Sequence, residues 1–241
     1  MLDAHYVNPK LAEIYDLDSP WSQDREFYLS LARGGGTKSI LDIGCGTGLL
    51  CDAYAALGHE VTGVDPAKAM LDVARRKPHG GNIEWVECFA QNFRSAKRFD
   101  LIIVTGHAFQ ALLEDDEINA CLLVMKTHLK DGGRAVFESR NPRVDWTQTW
   151  NYSMNLETPF GNVRETRQLQ SFDGDRMTFE LRYEFPDEVL SSNSELRFLS
   201  RKDIEQRATA CGLAVEALWG DWDNGVFEEA TSQEMVFSLA G

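Results

Sequence analysis

The chain of 241 residues lacks a long uninterrupted apolar segment, and this absence excludes one class of protein. A helix that crosses a bilayer needs about 18 or more consecutive apolar residues, and no run in the chain approaches that length. Residues 2–5 also lack the basic and then apolar character of a secretory signal. We therefore expect a cytoplasmic protein without a membrane partner.

Basic residues are scarce as well. The chain has 24 Lys and Arg against 38 Asp and Glu, which gives a formal net charge of -14. Proteins bind the phosphates of nucleic acids with basic surfaces, whereas the average field of this chain repels them. We predict no nucleic-acid partner, and we attribute the charge to solubility.

Cysteines are few, odd in number and without a C-x-x-C pair. This usage is typical of reduced, mostly buried thiols in a cytosolic protein, and it gives no reason to expect disulfides or a metal site. The five residues are Cys45, Cys51, Cys88, Cys121 and Cys211.

The most informative stretch of the chain is rich in glycine. Residues 39–43 have the apolar character of a buried parallel strand, and residues 49–57 have the pattern of a helix. Between them, Gly44, Gly46 and Gly48 stand at alternate positions. Glycine is used where the backbone must adopt a positive φ or lie against a ligand. The stretch therefore predicts a strand, a tight turn and a helix, with bare backbone facing a ligand.

The spacing of these glycines narrows the choice of ligand. A dinucleotide fingerprint requires G-x-G-x-x-G, but Leu49 occupies the place of that third glycine, and no Gly-Lys-Ser/Thr ending of a phosphate-binding loop follows. Residues 60–64 predict a second strand that ends in Asp65, 21 residues after Gly44. A doubly wound fold places at this point the acid that binds a ribose diol. The sequence therefore predicts a ligand with a ribose but no pyrophosphate.

These motifs resemble those of the class I S-adenosylmethionine-dependent methyltransferases. Residues 41–48 are similar to the first motif of that family, residues 64–66 with Met70 to its second-strand acid and the helix after it, and residues 99–102 to its fourth strand. The likeness is close over residues 40–141 and holds only in outline beyond them. It implies an α/β fold with a Rossmann-like, seven-stranded, mostly parallel sheet and helices on both faces.

The resemblance also implies S-adenosyl-L-methionine as cofactor, S-adenosyl-L-homocysteine as product, and a binding site. By this resemblance the three glycines lie beside the methionine moiety, Asp42 helps to position it, Asp65 binds the ribose hydroxyls, and Met70 packs on the adenine. The other cofactor residues in this prediction are Cys45, Pro66, Thr105 and Tyr15. An equally good interpretation of Tyr15 is an aromatic side chain that packs beside the first strand.

The adenine end departs from the family pattern. The family places an acid just after the third strand, where it accepts a hydrogen bond from the adenine amino group. Here residues 83–86 predict that strand, and Phe89 stands at the position of the acid. Two alternatives remain, because a phenyl ring cannot accept this bond. Either Gln91 supplies a polar contact, or the adenine stacks on Phe89 and is held by the backbone of Ala90.

The methyl acceptor is expected beyond the strand over residues 99–104, because open α/β sheets bind ligands at the carboxyl ends of their strands. His107 could take a proton from the acceptor, or it only caps the next helix or hydrogen-bonds the backbone. Arg140 could bind an acceptor carboxylate in a two-pronged bond, or it pairs with Glu138 or another surface acid. The remaining candidates are Phe109, Trp146, Trp150 and Tyr152; of these, the last three form an aromatic cluster that could stack on an aromatic ring or a cation.

We predict one methyltransferase domain over residues 1–241. Its parts are a helical lid (1–36), a cofactor-binding core (37–142), a small antiparallel β insertion that forms a cap (143–199), and a last helix with two strands (200–241). An Asp-Gly pair in the insertion predicts a hairpin turn. The insertion covers the substrate or, alternatively, forms an interface between copies, so a monomer and a homodimer both stay open.

The predicted reaction is transfer of a methyl group from S-adenosylmethionine to an amine or hydroxyl of a small molecule. Such an enzyme mainly holds two reactants in line and excludes water, so it needs few dedicated catalytic groups. Two other functions remain open. One is a non-catalytic S-adenosylmethionine-binding protein or regulator, which Phe89 favours. The other is a protein methyltransferase, which no feature of the sequence excludes.

Overall fold

The computed structural model describes residues 2–241 of the chain. The helices are α1 (Ala4–Val7), α2 (Pro9–Asp18), α3 (Gln23–Leu31), α4 (Leu49–Ala56), α5 (Lys68–Ala74), α6 (Asp115–His128) and α7 (Arg201–Ala210). Asn8 begins α2, because its side chain accepts hydrogen bonds from the amides of Lys10 and Leu11, and Pro9 takes the first helical position. None of the helices in this part of the chain is long and apolar enough to cross a membrane.

The strands form two sheets. They are β1 (Ser39–Ile43), β2 (Glu60–Asp65), β3 (Glu84–Glu87), β4 (Phe99–Val104), β5 (Leu129–Arg140), β6 (Tyr152–Thr158), β7 (Gly161–Asp173), β8 (Arg176–Glu184), β9 (Val189–Arg197), β10 (Ala214–Trp219) and β11 (Glu234–Ala240). The larger sheet has seven strands in the order β10-β11-β5-β4-β1-β2-β3. Among these described strands, β11 alone runs opposite to the other six. The predicted fold class is therefore confirmed.

The central strands of the larger sheet are buried on both faces. Ile40 and Leu41 of β1 and Ile102 and Ile103 of β4 have no exposed surface. One apolar cluster joins this sheet to α6 and α7, and a second joins its other face to α3 and α4. Continuous apolar strands between two helical layers are what a parallel sheet requires, because its crossover helices cover both faces.

The strand order creates a crevice at one edge of the larger sheet. From β1 the chain moves outward to β2 on one side, whereas β4 lies on the other side of β1. At such a switch point the connections that leave neighbouring strands diverge, and a ligand can enter between them at the carboxyl ends. The glycine turn after β1 and the segment after β4 therefore border the same crevice.

The smaller sheet, called the cap sheet below, contains β6, β7, β8 and β9 in antiparallel order. It lies between β5 and α7 in the chain, as predicted for the insertion, and Gly174 takes a φ of +60° in the tight turn between β7 and β8. Its core packs against Leu11 and Ile14 of α2. The N-terminal helices and the cap sheet thus contact each other beside the crevice.

Two strands contain residues whose sequence does not indicate a strand. Residues 131–133, an Asp-Gly-Gly sequence typical of a turn, lie inside β5, where Phe99 pairs with Leu129 but Leu101 pairs with Arg134, so the intervening residues bulge from the strand. Tyr152 of the predicted aromatic cluster begins β6. Residues 153–155 of this edge strand are exposed, because only one of its faces packs on the core.

Candidate active site

A cavity of about 630 Å³ occupies the crevice, within the volume range of small-molecule sites in proteins. The glycine turn and the end of β2 form one wall, and the segments after β3 and β4 form another. The first helix and the cap sheet close the remaining side. Six separate parts of the chain therefore meet around one space.

The first half of the glycine turn presents backbone to the cavity. Gly44 has a φ of +75° and Gly46 a φ of +54°, and both line the cavity together with Cys45. A Cβ on Gly44 would lie 2.8 Å from the Cβ of Ala108, so the position has no room for a side chain. The Gly44 amide donates to the Val64 carbonyl at 2.7 Å, which fixes the turn to β2.

Gly48 does not line the cavity, contrary to its predicted place beside the methionine moiety. Its φ is +70°, and a Cβ there would lie 2.5 Å from Cη2 of Trp85 and 2.9 Å from the Cβ of Ala74. The third glycine is therefore required for the close packing of α4 on its neighbours rather than for contact with a ligand.

Asp65 is held at the end of β2 by two backbone amides. Its Oδ2 accepts from Gly46 at 2.9 Å and its Oδ1 from Ala67 at 2.8 Å. The side chain is 8% exposed, and burial raises its pKa above the usual range although both hydrogen bonds oppose that change. Each oxygen keeps a further acceptor site, so the carboxylate can still bind a diol. Pro66 lies beside it on the wall.

Asp42 brings a second buried carboxyl group to the wall. It is 1% exposed, and its Oδ1 accepts no hydrogen bond from any residue of the described chain. Its Oδ2 accepts only from the thiol of Cys51, at 3.3 Å, and burial raises its pKa to about 7. A buried acceptor without a donor is costly, and the ammonium group of a bound methionine moiety would satisfy it.

Arg25 of α3 also lines the cavity, and the sequence analysis did not identify it. Its guanidinium donates to the Pro20 carbonyl at 2.8 Å, to the Ser22 hydroxyl at 3.0 Å and to the Ser19 hydroxyl at 2.9 Å, and Nη1 lies 3.7 Å from Oδ2 of Asp24. A guanidinium has five N–H donors, so further ones remain to bind an anion. Arg25 with Asp42 therefore suits the carboxylate and ammonium of an amino acid. The sequence around Arg25 carries no motif, so only the tertiary structure reveals this residue.

Two phenol rings lie over the glycine turn. Cε1 of Tyr15 is 4.0 Å from the place that a Cβ would occupy on Gly46, and the ring centroid of Tyr6 is 6.2 Å from that of Tyr15. Burial raises the pKa of Tyr15 to about 12 and that of Tyr6 well above its usual value. Both side chains line the cavity as neutral phenols that can donate hydrogen bonds.

The expected adenine end is formed only in part by the predicted residues. Phe89, Ala90 and Gln91 line the cavity, and 42% of Phe89 is exposed. Met70 does not line it, because its side chain is 1% exposed and packs with Ala12 and neighbouring residues of the N-terminal helices. The packing of Met70 on adenine is therefore not supported by the geometry.

His107 follows β4, but its ring is not part of the cavity wall, whereas Thr105 is. Its backbone takes a φ of +60°, and its amide donates to Oε1 of Glu138 at 2.6 Å. Its Nε2 lies 3.0 Å from Oε2 of Glu234 on β11. His107 immediately precedes a short 3-10 helix over residues 108–111. Its side chain makes no capping hydrogen bond to that helix. The ring contacts Glu234 outside the cavity wall, so the geometry supports neither the capping interpretation nor that of a proton acceptor.

The predicted acceptor residues do not line the cavity either. Phe109 is 2% exposed and its ring centroid lies 4.3 Å from that of Phe137, inside the main core. Trp150 is also 2% exposed and belongs to the core of the cap sheet. Trp146 donates from Nε1 to the Asn141 carbonyl at 2.9 Å. Tyr152 donates to Glu165.

Arg140 is committed to the packing around Trp150. Its guanidinium carbon lies 5.0 Å from the centre of the Trp150 ring, and that of Arg167 lies 4.3 Å from it. Nη1 of Arg140 donates to Oε1 of Gln110 at 3.1 Å instead of pairing with Glu138. Burial lowers the pKa of Arg140 to about 10. These contacts join the end of β5 to the cap sheet.

Polar residues that the sequence analysis missed form the far side of the cavity. One group, called the cap wall below, comes from β7, β8 and β9 and consists of Gln170, Thr178, Asn193 and Glu195. Asp3 and Ser194 lie next to it. Strand alternation indicates that such side chains leave the core, but it does not indicate which surface they face.

The chain matches known proteins over both its core and its full length. Residues 40–133 match the family model of a methyltransferase domain. The cypemycin N-terminal methyltransferase of a Streptomyces species is 24% identical over 204 residues, which are 84% of this chain and 82% of that protein.

Solved structures share the whole fold. An S-adenosylmethionine-dependent methyltransferase from Clostridium acetobutylicum superposes with a TM-score of 0.79 at 19% identity, over 95% of this chain and 97% of that one. The sugar N-methyltransferase KedS8 from Streptoalloteichus superposes with a TM-score of 0.74 at 20% identity, over 92% and 89%. Residues 40–133 thus match a methyltransferase domain, and the fold is that of known methyltransferases. With the glycine turn and the two buried carboxyl groups on one cavity, these matches support a class I S-adenosylmethionine-dependent methyltransferase.

Proposed function

We propose that the protein methylates an amino group of a small, polar molecule. The observation that carries this proposal is the shape of the cavity, which runs from the glycine turn to the cap wall. Its far side combines the carboxyl groups of Asp3 and Glu195 with amide and hydroxyl groups. Such a surface attracts a cationic amine that also bears hydrogen-bonding groups.

The cofactor half of the cavity fits its ligand by charge and shape. Asp42 and Arg25 would hold the amino-acid end, Asp65 the ribose, and residues 89–91 the adenine. S-adenosylmethionine supplies a methyl group on a sulfonium sulfur. The chain itself contributes orientation and exclusion of water, which together can lower a barrier by about 7–11 kcal/mol.

Tyr6 and Tyr15 lie where the two halves of the cavity meet. Because burial keeps both phenols protonated at neutral pH, they would orient the acceptor nitrogen by accepting hydrogen bonds from its N–H groups, which leaves its lone pair free, rather than by removing a proton. A cationic amine must therefore lose its proton to solvent before its lone pair can form the C–N bond. The C–S bond of the sulfonium breaks in the same step, and the methylated product then releases a proton to solvent. A role for His107 as a base would require its ring to leave Glu234.

The names of similar proteins support nitrogen as the acceptor atom. One relative is named as an N-terminal methyltransferase of cypemycin, and one structural neighbour as a sugar N-methyltransferase. The two matches cover 84% and 92% of this chain. An acceptor hydroxyl is the second candidate, since the cap wall also suits a polyhydroxylated molecule.

The test is transfer of isotope-labelled methyl from S-adenosylmethionine to a panel of small acceptors, resolved by mass. The panel contains amino sugars, free amines and peptides with a free N-terminus, each paired with its hydroxyl analogue. We expect label on amines and not on the matched alcohols. If only the alcohols are labelled, the acceptor group is a hydroxyl and the proposal of an amine acceptor is wrong. Cofactor binding without transfer to any small molecule would favour the regulator or a protein substrate.

A further inference from the structure

The adenine end of the cavity combines apolar walls with one carboxamide. Phe89, Ala90 and residues 111–113 supply its apolar lining. Gln91 and Glu117 also line it. An aromatic base that fills such a space gains contact area from the walls, whereas its polar edge must find partners among the few polar side chains.

Gln91 presents an acceptor that the protein does not use. Its Oε1 is buried, and no residue between 2 and 241 donates a hydrogen bond to it. A buried carbonyl oxygen without a donor has lost its water and gained no partner, so a ligand that brings a donor to it binds more tightly.

Glu117 determines which way the Gln91 carboxamide faces. Nε2 of Gln91 lies 3.5 Å from Oε1 of Glu117, and a carboxylate can only accept hydrogen bonds. If the amide turned round, two oxygens would face each other. The nitrogen therefore stays toward Glu117, and Oε1 of Gln91 stays on the other side.

Glu117 is itself fixed by the first turn of α6. Its Oε2 accepts from the amides of Leu113 and Glu114, both at 3.2 Å, and it forms a capping box with Glu114. The orientation of Gln91 thus depends on the end of a regular helix and not on a mobile loop. The Gln91 carboxamide therefore presents its oxygen, and not its nitrogen, to a bound base.

We propose that Oε1 of Gln91 accepts a hydrogen bond from the exocyclic amino group of the cofactor's adenine, and that Glu117 acts as a positioning residue that holds the carboxamide in this orientation. The proposal rests on the cofactor assignment within the proposed function. It replaces the acid expected at position 89 by a neutral amide two residues later in the chain.

The arrangement implies discrimination between purines. Adenine offers an amino donor at carbon 6, whereas hypoxanthine offers a carbonyl acceptor there. The fixed oxygen of Gln91 accepts a hydrogen bond from the adenine amino group but repels the carbonyl oxygen of hypoxanthine. A site that depends on one hydrogen bond rejects analogues that cannot form it. If the amide could turn freely, the site would tolerate both bases.

The test compares binding of S-adenosyl-L-homocysteine and S-inosyl-L-homocysteine by titration calorimetry, so it requires neither turnover nor an acceptor. We expect the wild-type protein to prefer the adenosyl compound by about tenfold or more. Gln91→Ala should weaken adenosyl binding by about five- to tenfold and remove most of the preference.

Glu117→Gln separates the positioning role from a structural one. Glutamine also forms a capping box at this place in a helix, so α6 should keep its first turn. The Gln91 amide can then face either way, and we expect the preference to fall to about threefold or less while adenosyl affinity changes little. Asn92→Ala is the control, because this exposed neighbour lies in the same short turn but not on the cavity wall.

The outcomes are distinct. A preference that survives Gln91→Ala, or a wild-type protein that binds both compounds equally, would overturn the role of Gln91 and leave the proposed function intact. An undiminished preference in Glu117→Gln would overturn the positioning role. If the wild-type protein binds neither compound, the proposed function and this inference both fail.

Discussion

At the residue scale, the site depends on two buried carboxyl groups whose partners differ. Asp65 accepts two backbone hydrogen bonds, whereas Oδ1 of Asp42 accepts none from the described residues. The sequence motif identified both acids, but not the amides, the thiol of Cys51 or the Arg25 guanidinium around them. Their surroundings lead to separate predictions.

Asp65→Ala should weaken the binding of S-adenosylmethionine by at least about tenfold, because the ribose hydroxyls lose a charged acceptor. Titration calorimetry measures this change. Asp72→Ala is the control, since Asp72 pairs with Lys68 on the exposed side of α5. Unchanged affinity in Asp65→Ala would contradict the assignment of the ribose site.

The pKa of Asp42, raised to about 7 by burial, predicts a pH-dependent cofactor affinity. The ammonium of the methionine moiety binds the ionised carboxylate, so affinity should rise as the pH increases from 6 to 8, by at most about tenfold per pH unit below 7. Asp42→Asn should bind more weakly and lose this dependence. A pH profile that is the same in both proteins would exclude Asp42 from the cofactor site.

The same group predicts an opposite trend for stability without cofactor. The folded protein keeps the proton of Asp42 up to about pH 7, whereas the unfolded chain releases it near pH 4. Between these values the folded state binds more protons, so the contribution of Asp42 to the free energy of unfolding falls as the pH rises. Denaturant titrations at several pH values should show that the free energy of unfolding falls less with rising pH in Asp42→Asn than in the wild-type protein.

At the scale of elements, Trp150 joins the core to the cap sheet. Its ring contacts the guanidinium groups of Arg140 on β5 and Arg167 on β7, and almost none of it is exposed. The sequence predicted an aromatic cluster here but assigned it to the acceptor. Composition reveals an aromatic side chain, and only the packing decides whether a ligand can reach it. The division into lid, core and cap stays our proposal.

Trp150→Ala should destabilise the protein by about 3–5 kcal/mol and leave cofactor affinity unchanged, because it empties a packed position outside the cavity. Denaturant unfolding measures the first effect and calorimetry the second. Trp21→Ala is the control, since Trp21 is 38% exposed. If stability is retained while the Michaelis constant for the acceptor rises, Trp150 belongs to the acceptor site after all.

At the scale of the whole molecule, the cavity that holds the proposed acceptor site is formed where the N-terminal segment, the larger sheet and the cap sheet meet. We expect Glu195→Gln to raise the Michaelis constant for an amine acceptor about three- to tenfold, from the loss of one charged contact, without changing cofactor affinity. Steady-state kinetics with the acceptor found by labelling measures this.

Glu114→Gln is the matched control for that change. Arg176 lies 3.1 Å from Glu195 and 3.0 Å from Glu114, so each substitution removes one carboxylate from the same guanidinium. Only Glu195 lies on the cavity wall. Equal effects of the two variants would mean that the ion pairs support the cap sheet and that Glu195 does not contact the acceptor.

The sequence by itself determined the fold class and the glycine turn, and it placed Asp42 and Asp65 correctly at one edge of the sheet. It could do so because strand periodicity, glycine spacing and the end of a strand are local properties of the chain. The tertiary structure decided that Gly48 packs under Trp85, that Met70 and Trp150 are buried, and that Arg25 and the cap wall reach the cavity. These outcomes depend on which distant segments of the chain pack against each other. The alternation of apolar and polar residues within one strand does not indicate those contacts.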